Sequence, residues 1–150
     1  MSNVGINPLE ASTRPIVGMG QRGEVTTENG DGDKHYMHVR AGSALAVGEV
    51  VIMTPAFVAA LATKTRGDNA NAGAGVVVAA LANGEYGWVQ TLGKTKVNSG
   101  GIAATGDAYT STTAGRIDDA TAGQRRIYGI KVGATTAGVV DAVLTSYPTV

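Results

Sequence analysis

Cysteine is absent from this chain of 150 residues, which excludes disulfide staples and thiolate metal sites. Net charge is absent too. Twelve Lys and Arg balance twelve Asp and Glu, so the chain lacks the basic surplus that neutralises nucleic-acid phosphates. No apolar run approaches the roughly 18 residues that a membrane span requires, and the first residues lack a signal peptide's hydrophobic region. Neither a nucleic acid nor a membrane is expected as a partner, and the chain is expected to be made in the cytoplasm. Large aromatics are scarce, with one Phe and one Trp beside five Tyr. The apolar content is mostly alanine and valine, which fill thin β-layers well and large cores poorly. Such a body gains from sharing surface with a second copy or a host.

What the chain does have is organised around Gly75-Val-Val-Val-Ala-Ala-Leu-Ala-Asn-Gly-Glu-Tyr-Gly-Trp-Val-Gln-Thr-Leu-Gly93. Gly75 to Ala82 is an apolar run of strand length, Asn83-Gly84 is a tight-turn signal, and Glu85 to Leu92 has strand composition. The pattern recurs 54 residues later in Gly129 to Gly138, with Val139 to Leu144 as the second strand. Leu45 to Ile52 resembles Ala103 to Thr110 at an offset of 58, each with a Gly-acid corner leading into a strand. An internal duplication is predicted.

Strands are also expected at His35–Arg40, Glu49–Thr54, Lys94–Val97, Ala108–Thr112, Gly115–Asp118, Arg126–Val132 and Val139–Thr145. Gly100-Gly101 is read as a strand break. Pro55 to Thr65 fits either a Pro-started helix or a strand, and its neighbours favour the strand. Thr65 to Gly73 reads as an exposed loop. Short strands at near-regular spacing make the chain all-β, a small β-sandwich or barrel with internal duplication. Residues 1–36 differ. Nine of the 24 charges fall in the first 40 residues, with Pro8 and Pro15 and no sustained period. This predicts an extended N-terminal arm over 1–36, ordered only against a partner, before a body over 37–150.

The chemistry-bearing motifs are weak. Gly18-Met-Gly-Gln-Arg-Gly23 spells G-x-G-x-x-G, but Pro15 precedes it and a poor helix former follows. Asn29, Asp31 and Asp33 alternate as in a calcium loop, yet Lys34 and Arg40 stand where such a loop needs Gly and Glu. His35 and His38 point to opposite faces of a strand and read as surface or interface residues. No serine lies in a nucleophile-elbow context, and Asp118-Asp119 diverge on a strand. Accordingly, neither catalysis, nor a cofactor, nor a metal is expected.

Taken together, the small-apolar approach, the Gly-acid corner, the Gly84-Glu-Tyr-Gly-Trp-Val-Gln90 strand with Leu92-Gly93, the second corner Gly106-Asp107 and the Gly129-Ile130 strand pair resemble the capsid decoration (cement) proteins of tailed bacteriophages. The resemblance covers about residues 40–146 and leaves the arm outside. It implies a β-rich body on the outer capsid surface of the virion, bound to the major capsid protein and strengthening the shell. It further implies a homo-oligomer, a trimer first and a dimer second. Interface candidates are Ile6, Leu9, Arg14, Ile16, Val17 and Arg22 on the arm and Tyr86 and Trp88 on the central strand. The latter two share one strand face and fit a core equally well, though Tyr and Trp are enriched at interfaces. The alternative is a carbohydrate- or receptor-binding β-module on a virion or cell surface, for which exposed aromatics on one sheet face would speak.

Overall fold

The computed structural model describes residues 6–26, 33–63, 73–102, 106–118, 126–133 and 137–144. Ten strands and no helix occur among them: β1 Arg22–Thr26, β2 Asp33–Ala41, β3 Val50–Met53, β4 Val58–Leu61, β5 Gly73–Val77, β6 Tyr86–Ile102, β7 Gly106–Thr110, β8 Ile117–Asp118, β9 Arg126–Val132 and β10 Ala137–Leu144. The chain is all-β, and the strands join in one continuous mixed ladder.

The ladder closes on itself twice. β2, β4, β3, β5 and the first half of β6 pair in that order, and β6 returns to β2. The second half of β6 pairs with β10, then come β9, β7 and β8, and β8 returns to β6. These are two five-stranded barrels sharing one 17-residue strand. Each has the same connectivity. Taking β2 for the second half of β6, β3 for β7, β4 for β8, β5 for β9 and the first half of β6 for β10, the one parallel pair matches the other, β2–β4 against β6–β8. The predicted duplication is therefore a duplicated barrel, and closure removes the sheet edges that a sandwich would expose.

Alternation along β3 sends Val51 and Met53 inward to Met37, Val39, Ala59, Val77 and Val89, the first barrel's core. Val50 and Ile52 point outward and join Val97, Ile117, Ile127, Ile130, Val132 and Val140, so the second barrel's core continues onto the first barrel's wall. Backbone bonds lock the two together. The Val50 N–H donates to the Gly115 carbonyl at 2.7 Å, Gly115 to Ala62 at 2.9 Å, and Asn98 to Gly48 at 2.9 Å.

A strand can serve two barrels only if it bends, and β6 bends at Gly93, whose φ is 100°. A Cβ there would lie 2.7 Å from the Asp33 carbonyl oxygen, so glycine is required for space as well as for conformation. Two backbone carbonyls flank the bend, those of Leu92 and Lys94. The buried Gln90 side chain meets both, its Nε2 donating to Leu92 O at 3.0 Å and to Lys94 O at 2.9 Å.

Four corners recur at the barrel ends. Gly48, Gly84, Gly106 and Gly138 all have positive φ, between 84° and 106°. In the first barrel the corner acids fold back on their own turns: Glu49 Oε2 accepts from Ala46 N–H at 2.8 Å, and Glu85 Oε1 from Ala82 N–H at 2.6 Å. Leu45 and Leu81, just ahead of these turns, exchange both backbone hydrogen bonds. Leu45-Ala-Val-Gly-Glu49 and Leu81-Ala-Asn-Gly-Glu85 are thus a shorter repeat inside the first copy. In the second barrel Asp107 instead reaches across to Arg126 and Lys131, which hold its carboxyl below the usual range.

Four expectations change. The Gly75–Ala82 strand ends at Val77, because the chain leaves the ladder there so that Leu81 can pair with Leu45. The Asn83-Gly84 turn is present, but only Gly84 has positive φ, so it is not the doubly positive primed hairpin turn. Gly100-Gly101 does not break β6: a Cβ on Gly100 would sit 1.9 Å from Ser111 Oγ, so this glycine admits a neighbour rather than ending a strand. Within the expected arm, Arg22–Thr26 pairs along the edge of Asp33–Ala41, and β2 runs through the 36/37 boundary. The partner strand supplies the pairing that the arm's own composition does not signal. The Pro55–Thr65 segment contains the turn Thr54–Phe57 and then strand β4, and the loop at 64–72 lies outside the described residues.

Two substitutions test this account by urea denaturation. Gln90→Leu keeps the volume and removes both donors; it is expected to lower stability by about 2 kcal/mol, the loss of two part-buried hydrogen bonds. Gly100→Ala is expected to cost about 1–3 kcal/mol through overpacking against Ser111.

Candidate functional site

One face of β6 and its neighbours carries most of the polar and aromatic groups that point away from the two cores. Along β2 and the first half of β6, the register sets Tyr36 opposite Gln90, His38 opposite Trp88 and Arg40 opposite Tyr86, all on the outer face of the first barrel. Past the bend the same face continues on the second barrel, with Lys94 opposite Val143, Lys96 opposite Asp141 and Asn98 opposite Val139. The part around His38, Tyr86 and Trp88 is covered, and the second half is open.

The cover is residues 12–21. Ser12 exchanges two backbone hydrogen bonds with Tyr86, at 2.9 and 2.7 Å. Nine residues on, Gly20 and Gln21 bond the backbone of His38, Gly20 N–H to its carbonyl and Gln21 O from its N–H, each at 2.9 Å. The segment is a strap tied to two adjacent strands. Beneath it the His38 ring stacks on Tyr86 at 6.1 Å between centroids and tilts against Trp88 at 5.3 Å, within the favourable range for ring pairs. His38 Nε2 accepts from the Ile16 N–H at 3.4 Å. His38 Nδ1 and Trp88 Nε1 are buried without a partner among the described residues.

The weak G-x-G-x-x-G motif finds its explanation here. Gly20, at φ 77°, faces the Phe57 ring so closely that a Cβ would approach it to 2.5 Å. Gly23 likewise leaves room for the Ile6 side chain, and a strand rather than a helix follows. Phe57 itself has φ 60°, an unusual conformation for a bulky residue, and its ring packs between Gly20 and the first core. The glycines serve close packing.

The candidate residues separate accordingly. Ile6, Ile16 and Val17 are half-buried on the chain's own body, while Leu9 and Arg14 are exposed. Arg22 is exposed on β1, and Tyr86 is half-buried beside the strap. Trp88 is 2% exposed, so in this arrangement it has no surface to give a neighbouring subunit and offers no platform to a sugar. His38, expected at a surface or an interface, is fully buried within the chain, because the strap that covers it comes from a segment read as separate. His35 is part-exposed and lies 3.8 Å from Glu24 of β1. Asn29, Asp31 and Asp119 lie outside the described residues, and among those described no three His, Asp or Glu side chains gather as a metal would need.

The open half begins at a cleft of about 470 Å³ where the strand bends, lined by Lys34, Tyr36, Val47, Gln90, Lys94 and Lys96 among others. A second hollow of about 330 Å³ adjoins it and shares Lys94, Thr95 and Asp141. Burial pushes the Tyr36 hydroxyl's pKa up, which keeps it a hydrogen-bond donor. No signal in the sequence marked this cleft, since its lysines lie up to 62 positions from one another and meet only through strand pairing. Compared with known proteins, the chain matches no protein-family model, no curated protein and no solved structure.

His38 gives a pH test of the strap. Burial lowers its pKa, opposed by the Gly18 carbonyl and Glu10. The unfolded chain, with a histidine pKa near 6.5, then binds the proton more readily than the folded one. Strap stability is expected to be full above about pH 6.5 and to fall as the pH drops below it. His38→Gln should flatten that slope in urea titrations between pH 7.5 and 5; an unchanged slope would assign it to another group.

Proposed function

We propose that this chain is a structural protein of a tailed-bacteriophage virion, a decoration protein that binds the outer surface of the major capsid shell and stabilises it. The observation that carries the reading is the place of the resembling stretch. Gly84 to Gln90 opens the strand shared by both barrels, turns at one of the four repeated corners and provides the floor on which the strap is tied. The residues most alike to that family are therefore those on which this architecture depends.

A doubly closed, interlocked body suits a protein whose work is to resist deformation. Its exposed apolar groups Leu9, Val47, Val139 and Val143 offer contact area without a net charge to steer it elsewhere. In this reading the chain acts without cofactor or catalysis, sits on the virion exterior and assembles as a homo-oligomer, a trimer at local three-fold positions. Exposed Leu9, just ahead of the strap, and exposed Arg14 on it are the first candidates for contact with shell or neighbour.

The test is attachment. Purified protein mixed with phage shells that lack it should co-sediment to saturation and raise the temperature at which the shells rupture. Leu9→Asp with Arg14→Glu should weaken attachment at least tenfold without lowering the melting temperature of the free protein. Failure of the full-length chain to bind any such shell, together with specific retention on a glycan array, would replace this reading with the carbohydrate-binding one.

A further inference from the structure

The two barrels are copies, yet their equivalent outer faces are treated differently. On the first barrel the β2–β6 face is crossed by a looped segment of the chain itself, tied at Tyr86 and His38. On the second, the corresponding β6–β10 face carries Val139 at 55% and Val143 at 39% exposure. Val47, 58% exposed, stands on the rim of the adjoining cleft. Three of the four exposed large apolar side chains among the described residues thus surround one place.

The same place gathers charge. Lys34, Lys94 and Lys96 line the cleft, three of the five lysines in a chain with no net charge. Asp141 is the acid among the described residues that line the cleft. Its ion pair with Lys96, at 2.7 Å, joins two side chains that are both about 70% exposed, a kind of pair worth little and readily exchanged for another carboxylate. The floor is Tyr36, Val77 and Gln90, all buried and held by the bend in β6. A basic, preformed cleft with an apolar rim, on the face whose copy is already strapped, specifies its occupant's shape and sign.

We infer that the cleft and the β6–β10 face take an acidic segment of a partner protein, with apolar residues between its carboxylates, covering the second barrel's face as residues 12–21 cover the first's. Carboxylates meet Lys34, Lys94 and Lys96; the intervening side chains cover Val47, Val139 and Val143. A second copy's strap is a poorer match, because residues 6–21 carry one acid and one base, Glu10 and Arg14. The inference rests on the proposed function only for the source of the segment, which would then be the shell subunit.

A fluorescein-labelled peptide of alternating glutamate and valine, seven residues long, is titrated into the whole protein and followed by anisotropy, with amide NMR shifts mapping the site. Saturable binding that weakens with salt, and shifts confined to Lys34, Gln90, Lys94–Lys96 and Val139–Val143, are expected. Lys94→Glu with Lys96→Glu should reduce affinity at least tenfold, and Val143→Asp several-fold. No binding up to millimolar peptide, shifts elsewhere, or equal binding of a lysine–valine peptide would overturn the inference. So would displacement by inorganic tripolyphosphate at the peptide's own affinity, which would make this a small-anion site. Attachment of the Lys94/Lys96 double variant to shells is measured separately and reports on the shell reading alone. Normal attachment removes the capsid as the segment's source and leaves the cleft's preference, read on the peptide, standing.

Discussion

The two hydrogen bonds from Gln90 to the carbonyls of Leu92 and Lys94 are the constraint on which the rest of the molecule depends. A straight 17-residue strand would carry its two halves into one sheet. With Gly93 at positive φ, the chain turns and its halves enter different barrels. The carbonyls on either side of the turn need partners, and a polar group left unmet away from water is costly. One amide group, itself 2% exposed, meets both. The bend is therefore a fixed feature, and the cleft above it inherits that rigidity.

Duplication explains how so small a stock of side chains suffices. Each barrel closes without an edge strand, and each closes with the same connectivity. The thin alanine-valine interior of each is supplemented by a wall shared between them, where Val50, Ile52 and Val76 of the first barrel meet the core of the second. The corners repeat within the first barrel as well, through glutamates that cap their own turns. In the second barrel the equivalent acid is engaged by cations across the strand instead. The copies have kept their backbone and diverged at the surface.

That divergence has a functional aspect. One outer face was given an internal cover, a strap tied by backbone bonds at Tyr86 and His38, over a stack of three rings. The other was left with lysines and exposed valines. The chain has no net charge, yet three of its five lysines gather at one cleft. One face is closed by the chain itself, and the other presents its charge and its valines to solvent.

The sequence by itself determined the class, the repeat and most strand positions. Gly-acid corners, β-branched runs and the offsets of 54 and 58 are local signals, and positive φ at Gly48, Gly84, Gly106 and Gly138 follows from what only glycine adopts readily. Tertiary structure alone decided the rest. Whether strands close into one barrel or two depends on which ladders return to β6, a pairing between residues far apart that no local pattern encodes. Gly100 read as a break because its lack of a side chain looks the same whether it ends a strand or admits Ser111. The strap read as a loose arm because its ties are backbone bonds, indifferent to residue type. The cleft was invisible for the related reason that Lys34, Lys94 and Lys96 meet only once the shared strand has bent.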